Sequence, residues 1–163
     1  MAINTIWVYA EVADGKPTAG TLELLTKARS LGAGTVAAFV VGDVGDAAAT
    51  LGAFGAATVY ATGDLGGKLP GPAGSGAIKA LIDGGTSPDL ILFPSTYGAR
   101  DVAARLSVKL DKTVLTNNTG IKMAAACGTL TARAIIGTAK EPKPAPKPLL
   151  LIPNSSTAGT ATM

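Results

Sequence analysis

The chain has 163 residues, enough for one domain with its own hydrophobic core, and its 47% hydrophobic and 15% charged residues exclude an intrinsically disordered chain. Its formal net charge is +3, and it contains no histidine, which excludes Ser-His-Asp, Cys-His and HExxH chemistry. Its one cysteine, Cys127, excludes an internal disulfide and a multi-cysteine metal site.

Strands and helices alternate over the first two thirds of the chain. The strands are near-continuous apolar runs bounded by turn residues, and the helices show apolar residues three and four apart. In chain order we predict the strand Ile3–Val12, the helix Thr18–Leu31, the strand Thr35–Val41, the helix Asp46–Phe54, the strand Thr58–Ala61, the helix Ser75–Asp83, the strand Leu90–Pro94, the helix Gly98–Leu110 and the strand Thr113–Leu115.

The pattern changes after Thr116. Short strand-like segments replace the alternation, at Ile121–Met123, Thr129–Ile136 and Leu149–Ile152. Lysines alternate with prolines between the last two, which predicts an extended connector and no nucleic-acid interface. We therefore predict an α/β domain over residues 1–153, with a doubly wound, mostly parallel sheet and an antiparallel edge addition after residue 116. Residues 154–163 are predicted to be a tail or the start of a linker.

Glycine-rich segments suggest phosphate binding but do not match its motifs. The segment Gly71-Pro-Ala-Gly-Ser-Gly76 lacks the GxGxxG spacing, and Gly67-Lys68 lacks both flanks of a P-loop. We interpret the first segment as a flexible loop and helix entry.

Only weak candidates for a ligand site lie at the ends of the predicted strands. Ser95 and Thr96 are placed either to cap the following helix or to donate to an anion. Arg100 is placed either to hold a phosphate or a partner carboxylate, or to pair with solvent or Asp101. Acidic residues near other strand ends, including Glu11, Asp43 and Asp64, are better explained by turns and helix caps. No catalytic residues and no metal site are predicted, which favours a scaffold or binding module over an enzyme.

The chain contains no apolar run near the ~20 residues that span a bilayer, so no membrane insertion is expected. The first residues do not have the pattern of a secretory signal, and the expected location is the cytoplasm.

Several segments, in order over residues 3–116, resemble the alpha subunit of electron-transfer flavoproteins. They are Ile6-Trp-Val-Tyr-Ala-Glu11, Thr21-Leu-Glu-Leu-Leu-Thr-Lys-Ala-Arg29, Leu51-Gly-Ala-Phe-Gly-Ala-Ala-Thr-Val-Tyr60, Pro88-Asp-Leu-Ile-Leu-Phe-Pro-Ser-Thr96 and Arg100-Asp-Val-Ala-Ala-Arg-Leu106. After residue 116 the chain departs from the family pattern, with Thr116-Asn117 in place of Ser-Asp and Pro153 in place of an arginine.

The resemblance implies an adenine-nucleotide-hydrolase-like fold and a non-enzymatic electron carrier. The complete protein would be a heterodimer with a beta subunit, taking electrons from flavin dehydrogenases and passing them to a quinone oxidoreductase or another acceptor. Its FAD would be bound by a carboxyl-terminal domain beyond this chain, so no residue here is assigned to FAD. The alternative is a stand-alone AMP- or ATP-binding module of the universal-stress-like superfamily, with its ligand near Ser95–Arg100.

Overall fold

The computed structural model describes residues 3–123, 130–134 and 149–153. Up to the fourth helix, strands and helices alternate as predicted except for a short hairpin, β2 and β3, between β1 and α1. In chain order they are β1 (Thr5–Ala10), β2 (Val12–Ala13), β3 (Lys16–Pro17), α1 (Ala19–Ser30), β4 (Thr35–Val40), α2 (Ala47–Ala53), β5 (Thr58–Ala61), α3 (Pro70–Asp83), β6 (Leu90–Leu92), α4 (Tyr97–Leu110), β7 (Val114–Met123), β8 (Leu130–Ala134) and β9 (Leu149–Pro153).

Seven of these strands form one sheet in the order β5-β4-β1-β6-β9-β7-β8. Every neighbouring pair in it is parallel except β7 and β8, which pair antiparallel at one edge. The predicted fold class, a mostly parallel doubly wound α/β sheet with an antiparallel addition, is therefore confirmed.

The central strands are buried on both faces, and their side chains alternate between two cores. Ile6 and Val8 of β1 pack with residues of α1 and α2 on one face. Trp7 and Tyr9 pack with residues of α3 and α4 on the other. This double coverage explains why β1 reads as a continuous apolar run in the sequence. Trp7 is 1% exposed and its ring centroid lies 5.2 Å from that of Tyr60, so it belongs to the core.

The last strands differ from the sequence prediction. β7 is one strand that joins the predicted segments Thr113–Leu115 and Ile121–Met123 across an irregularity at Asn117, where φ is +56°. β9 lies inside the sheet, parallel to both β6 and β7, so its predicted antiparallel edge position was wrong. A local apolar pattern identifies a strand but carries no information on which distant strands it joins. Of the predicted strand Thr129–Ile136, the structure describes only β8.

The third helix begins five residues before its predicted start at Ser75, so the interpretation of the Gly71–Gly76 segment as a loop was wrong. Pro70 occupies the first helical position. A backbone N–H there has no partner within the helix, so proline loses no hydrogen bond by lacking it. Gly74 is buried, and a Cβ there would lie 2.5 Å from Val41 Cγ2. The glycines of α3 are therefore sites of close approach to neighbouring elements rather than signs of a flexible loop.

The first strand is shorter than predicted, because a hairpin follows Glu11. β2 and β3 pair antiparallel across a turn in which both Asp14 and Gly15 have positive φ, at +51° and +73°. An Asp-Gly pair in this conformation is typical of a two-residue hairpin turn.

Candidate functional site

The carboxyl ends of the parallel strands are the usual place for a ligand in an open α/β sheet. A cleft of about 330 Å³ lies there, next to the end of β1 and the starts of α3 and α4. We call it the strand-end cleft; the residues of its lining that matter for its chemistry are Tyr9, Glu11, Thr18, Val41, Pro70 and Gly98.

Thr96 connects two elements at this cleft. Its hydroxyl accepts a hydrogen bond from the backbone N–H of Ala99 at 3.2 Å, so Thr96 is the N-cap of α4. The same hydroxyl donates to Glu11 Oε1 at 2.5 Å. The sequence interpretation of Thr96 as a cap is confirmed, and the hydroxyl gains a carboxylate partner from the end of β1.

The backbone of Glu11 is fixed as firmly as its side chain. Its N–H donates to Thr21 Oγ1 at 2.9 Å, and its carbonyl accepts from the N–H of Thr18 at 2.9 Å. The carboxylate is thus held at the N-terminus of α4, where a negative charge is favourable because the helix dipole is positive. The Glu11 carboxylate therefore belongs to a contact between β1 and the N-cap of α4, which the sequence interpretation of Glu11 as a turn or cap residue did not include.

A further helix that starts at this edge, α3, is a poor anion site for a different reason. A helix N-terminus binds anions through the free N–H groups of its first turn. Pro70 and Pro72 both lie in that turn and carry no N–H. Together with the Glu11 carboxylate, this makes the strand-end cleft unfavourable for a phosphate group.

We expect Thr96→Ala to lower the free energy of unfolding by about 1 kcal/mol, because the N-cap bond and the bond to Glu11 are both lost. Urea denaturation of the two chains measures the difference. Thr96→Ser keeps the hydroxyl and is the matched control, expected within about 0.5 kcal/mol of the original chain. Equal losses of stability in Thr96→Ala and Thr96→Ser would contradict the assignment of these hydrogen bonds to the Thr96 hydroxyl.

Tyr9 brings a second polar group to the cleft. The residue is 4% exposed, and its ring stacks on that of Phe93 with centroids 5.3 Å apart. Its hydroxyl makes no hydrogen bond to the residues that the structure describes. Burial, aided by the negative charges of Glu11 and Asp101, raises the pKa of Tyr9 from 10.0 to about 12.

This raised pKa predicts a loss of stability at high pH. The unfolded chain releases the Tyr9 proton near pH 10 and the folded chain near pH 12. The contribution of Tyr9 to the free energy of unfolding is therefore complete below pH 10 and is lost as the pH rises toward 12. A difference of two pKa units corresponds to about 2.7 kcal/mol. Urea unfolding of the chain and of Tyr9→Phe across this range gives the measurement. Tyr9→Phe retains every lysine, so lysine titration affects both proteins alike. If the free energies of unfolding of the two proteins fell in parallel with rising pH, the assignment to Tyr9 would be contradicted.

The remaining predicted candidates do not join the cleft. Ser95 makes no hydrogen bond to another described residue, and the side-chain cap of α4 comes from Thr96. Arg100 is exposed and lines a separate groove of about 350 Å³ between α4 and β7. It does not pair with Asp101, whose carboxylate instead accepts from Arg105 Nε at 2.8 Å, four residues along the helix.

Two residues of the cleft, Tyr9 and Glu11, were not predicted as site residues. Both lie at the end of β1. Since strand ends meet at one edge of a parallel sheet, this position in the sequence could have indicated that they belong to the cleft. The contact of Glu11 with Thr96 spans 85 residues and has no local signature. Asp43 and Asp64 do serve turns as predicted, each accepting from the N–H two residues on, at Gly45 and Gly66.

The fold is a doubly wound, mostly parallel α/β sheet, and at its strand-end edge the Glu11 carboxylate is bonded to the N-cap residue of α4. Residues 6–158 match the family model described as "Electron transfer flavoprotein domain". The chain therefore belongs to the electron transfer flavoprotein domain family, whose members are electron carriers. No curated protein matches the chain significantly. Among the helices that the structure describes, none is long and apolar enough to cross a membrane.

The described residues do not fit the FAD that the family implies. In the Rossmann-type doubly wound fold, a dinucleotide places its pyrophosphate on a glycine-spaced turn between the first strand and the first helix. Here that connection is the β2–β3 hairpin, and Glu11 puts a negative charge at its start. The single arginine of the α4–β7 groove lies apart from this turn. No step of flavin chemistry is therefore assigned to the described residues.

Proposed function

We propose that this chain is the amino-terminal domain of an electron-transfer flavoprotein alpha subunit and acts as a scaffold. It packs on a beta subunit and supports a domain that holds FAD, while the complex passes electrons from flavin dehydrogenases to a quinone oxidoreductase or another acceptor. The observation that carries the proposal is the family match over residues 6–158, together with the resemblance of residues 3–116 to alpha subunits.

The contacts at the strand-end cleft favour a structural role for this domain over the binding of a ligand. Hydrogen bonds of Glu11 to Thr21 and Thr96 connect the end of β1 to the starts of α1 and α4. These hydrogen bonds occupy polar groups that a ligand could otherwise bind, and they fix the positions of β1, α1 and α4 relative to one another. A scaffold for electron transfer needs this rigidity because the rate depends on how closely the cofactors approach, whereas it needs no acid or base of its own.

A direct binding experiment tests the proposal. The chain is mixed with a purified electron-transfer flavoprotein beta subunit from the same source, and the mass of the product is measured by light scattering after size-exclusion chromatography. The proposal predicts a complex containing one copy of each. A chain that elutes alone at all ratios would contradict it.

The cleft also argues against the stand-alone AMP- or ATP-binding module. Phosphates would meet the Glu11 carboxylate and the two prolines of α3, and Arg100 lies on another surface. We expect no heat of binding when AMP or ATP is titrated into the chain in a calorimeter. Saturable binding of either nucleotide would favour the nucleotide-binding module.

A further inference from the structure

Two oxygen atoms at the strand-end cleft take no part in the contacts that join β1, α1 and α4. The Thr96 hydroxyl donates to Glu11 Oε1, whereas Glu11 Oε2 makes no hydrogen bond to a described residue. The Tyr9 hydroxyl also has no partner among the described residues, although Tyr9 is only 4% exposed and belongs to the lining of the cleft. Buried polar side chains normally have a hydrogen-bond partner. The cleft therefore has unused capacity for a polar group that enters from outside.

The charge of the cleft is negative. Among the described residues that line it, Glu11 is acidic and none is basic. The charges of Glu11 and Asp101 both act on the Tyr9 hydroxyl and contribute to its raised pKa. Asp101 is paired with Arg105, so Glu11 carries the charge without an ion-pair partner, and Arg100 lines the groove between α4 and β7 instead. The features that make the cleft unfavourable for a phosphate thus make it favourable for a cation that donates hydrogen bonds.

An organic cation fits this cleft better than a metal ion. In the part of the chain that the structure describes, no group of three or more acidic, cysteine or histidine residues could hold a metal. An ammonium or guanidinium group needs fewer acceptors, since a carboxylate oxygen and a hydroxyl can each accept one of its N–H groups. Lysine and arginine carry these groups on apolar stems, which suit the walls formed by Val12, Val41 and Pro70.

The chain leaves the sheet at the same edge. Val8 of β1 pairs with Leu92 of β6, and Leu92 pairs with Leu151 of β9, in both cases parallel. Two residues further on, Ala10 and Pro153 therefore end β1 and β9 at the same level. Only β6 separates these two strands, so their ends lie about 10 Å apart. Any domain that follows β9 in the chain is thus attached beside the strand-end cleft.

Attachment at this edge favours contact with the cleft. A short connection holds a neighbouring domain at about millimolar effective concentration, so one ion pair with some apolar contact is enough to dock it. Apolar contact is available, because Leu69 is 72% exposed and Tyr97 is 92% exposed. These two residues directly precede Pro70 and Gly98 of the lining, at the starts of α3 and α4. A surface of this mixed polarity is typical of contacts between domains of one chain.

We infer that the strand-end cleft receives a lysine or arginine side chain of the FAD-holding domain, whose cationic group binds Glu11 Oε2 and the Tyr9 hydroxyl. This inference rests on the proposed function, in which that domain follows β9 in the complete protein. Glu11 then has one contact within this domain, through Oε1 to Thr96, and one contact to the next domain, through Oε2.

Hydrogen exchange of the complete flavoprotein, measured by mass spectrometry, tests the inference. Glu11→Gln removes the charge but keeps an amide oxygen that can accept from Thr96. We expect one segment of the FAD-holding domain, containing a lysine or arginine, to exchange faster by about tenfold or more, the loss typical of a hydrogen bond to a charged group. Tyr9→Phe should accelerate exchange of the same segment by about threefold.

Asp64→Asn is the matched control for Glu11→Gln. Asp64 follows β5 at the same edge of the sheet, is exposed, and lies outside the lining of the cleft. The variant removes one negative charge and keeps an oxygen that accepts from the N–H of Gly66. It should change exchange of the FAD-holding domain by less than about twofold. Replacing the lysine or arginine of the affected segment by methionine should reproduce the effect of Glu11→Gln, and the double variant should add nothing further.

The outcomes separate the inference from the proposed function. If no segment of the FAD-holding domain exchanges faster in Glu11→Gln, the docking place is wrong and the proposed function stands. If residues 97–106 of α4 exchange faster as well, loss of the contact with Thr96 accounts for the effect and the inference is overturned. Equal effects of Asp64→Asn and Glu11→Gln would overturn it too, because general charge attraction would explain both. If the complete protein contains no FAD-holding domain, the proposed function is wrong and the inference falls with it.

Discussion

Leu106→Ala should lower the free energy of unfolding by about 2–5 kcal/mol. Leu106 is completely buried on the inner face of α4, in the core that also contains Trp7, Phe93 and Val102. Removing its three outer carbons costs their transfer from water and leaves a cavity, because close-packed neighbours relax only in part. Urea denaturation followed by circular dichroism gives the difference.

Val108→Ala is the matched control for this change. It lies two residues further along the same helix, is 82% exposed, and should alter the free energy of unfolding by no more than about 0.5 kcal/mol. Similar losses at residues 106 and 108 would show that the two faces of α4 have been assigned wrongly.

Gly74→Val should cost about 3 kcal/mol. Gly74 lies in α3, and a Cβ there would already overlap Val41 Cγ2 at 2.5 Å and touch Val102 Cγ2 at 3.4 Å. The two further methyl groups of valine have no space unless α3 moves away from the sheet and from α4. The midpoint of urea denaturation should fall accordingly.

Gly52→Val is the control with the same chemical change. Gly52 also lies inside a helix, α2, but an added Cβ would meet nothing within 4 Å. Valine has a better helix propensity than glycine, so the effect should stay within about 0.5 kcal/mol of zero. If residue 74 tolerated valine as well as residue 52 does, the close packing of α3 would be contradicted.

The sequence was informative where the pattern is local. The helix α4 was predicted to within one residue, because Val102, Leu106 and Leu110 recur at helical spacing after a strand. Strand β5 was predicted with its observed bounds, since an apolar run with two turn-rich flanks leaves few alternatives. Thr96 was correctly interpreted as a cap because a threonine before a helix has a well-defined local role.

Predictions failed where distant residues determine the structure. The place of β9 between β6 and β7 depends on pairing across more than thirty residues of chain on one side and more than fifty on the other. The bond between Glu11 and Thr96 depends on the fold that brings β1 and α4 together. Helix α3 was shortened because glycines suggest a loop, although in this packing they allow α3 to lie close to its neighbours.

The strand-end edge of the sheet is unfavourable for a small anion. The carboxylate of Glu11 accepts a hydrogen bond from the N-cap hydroxyl of α4, and prolines replace N–H donors at the start of α3. This edge therefore favours a structural role over phosphate binding.

The most direct test of this account is the absorbance spectrum and intact mass of the protein as it is isolated from its source under gentle conditions. We expect a complex with a second subunit, flavin absorbance in the visible range, and FAD released on denaturation. A preparation that contains the chain without a partner subunit and without flavin absorbance would contradict it.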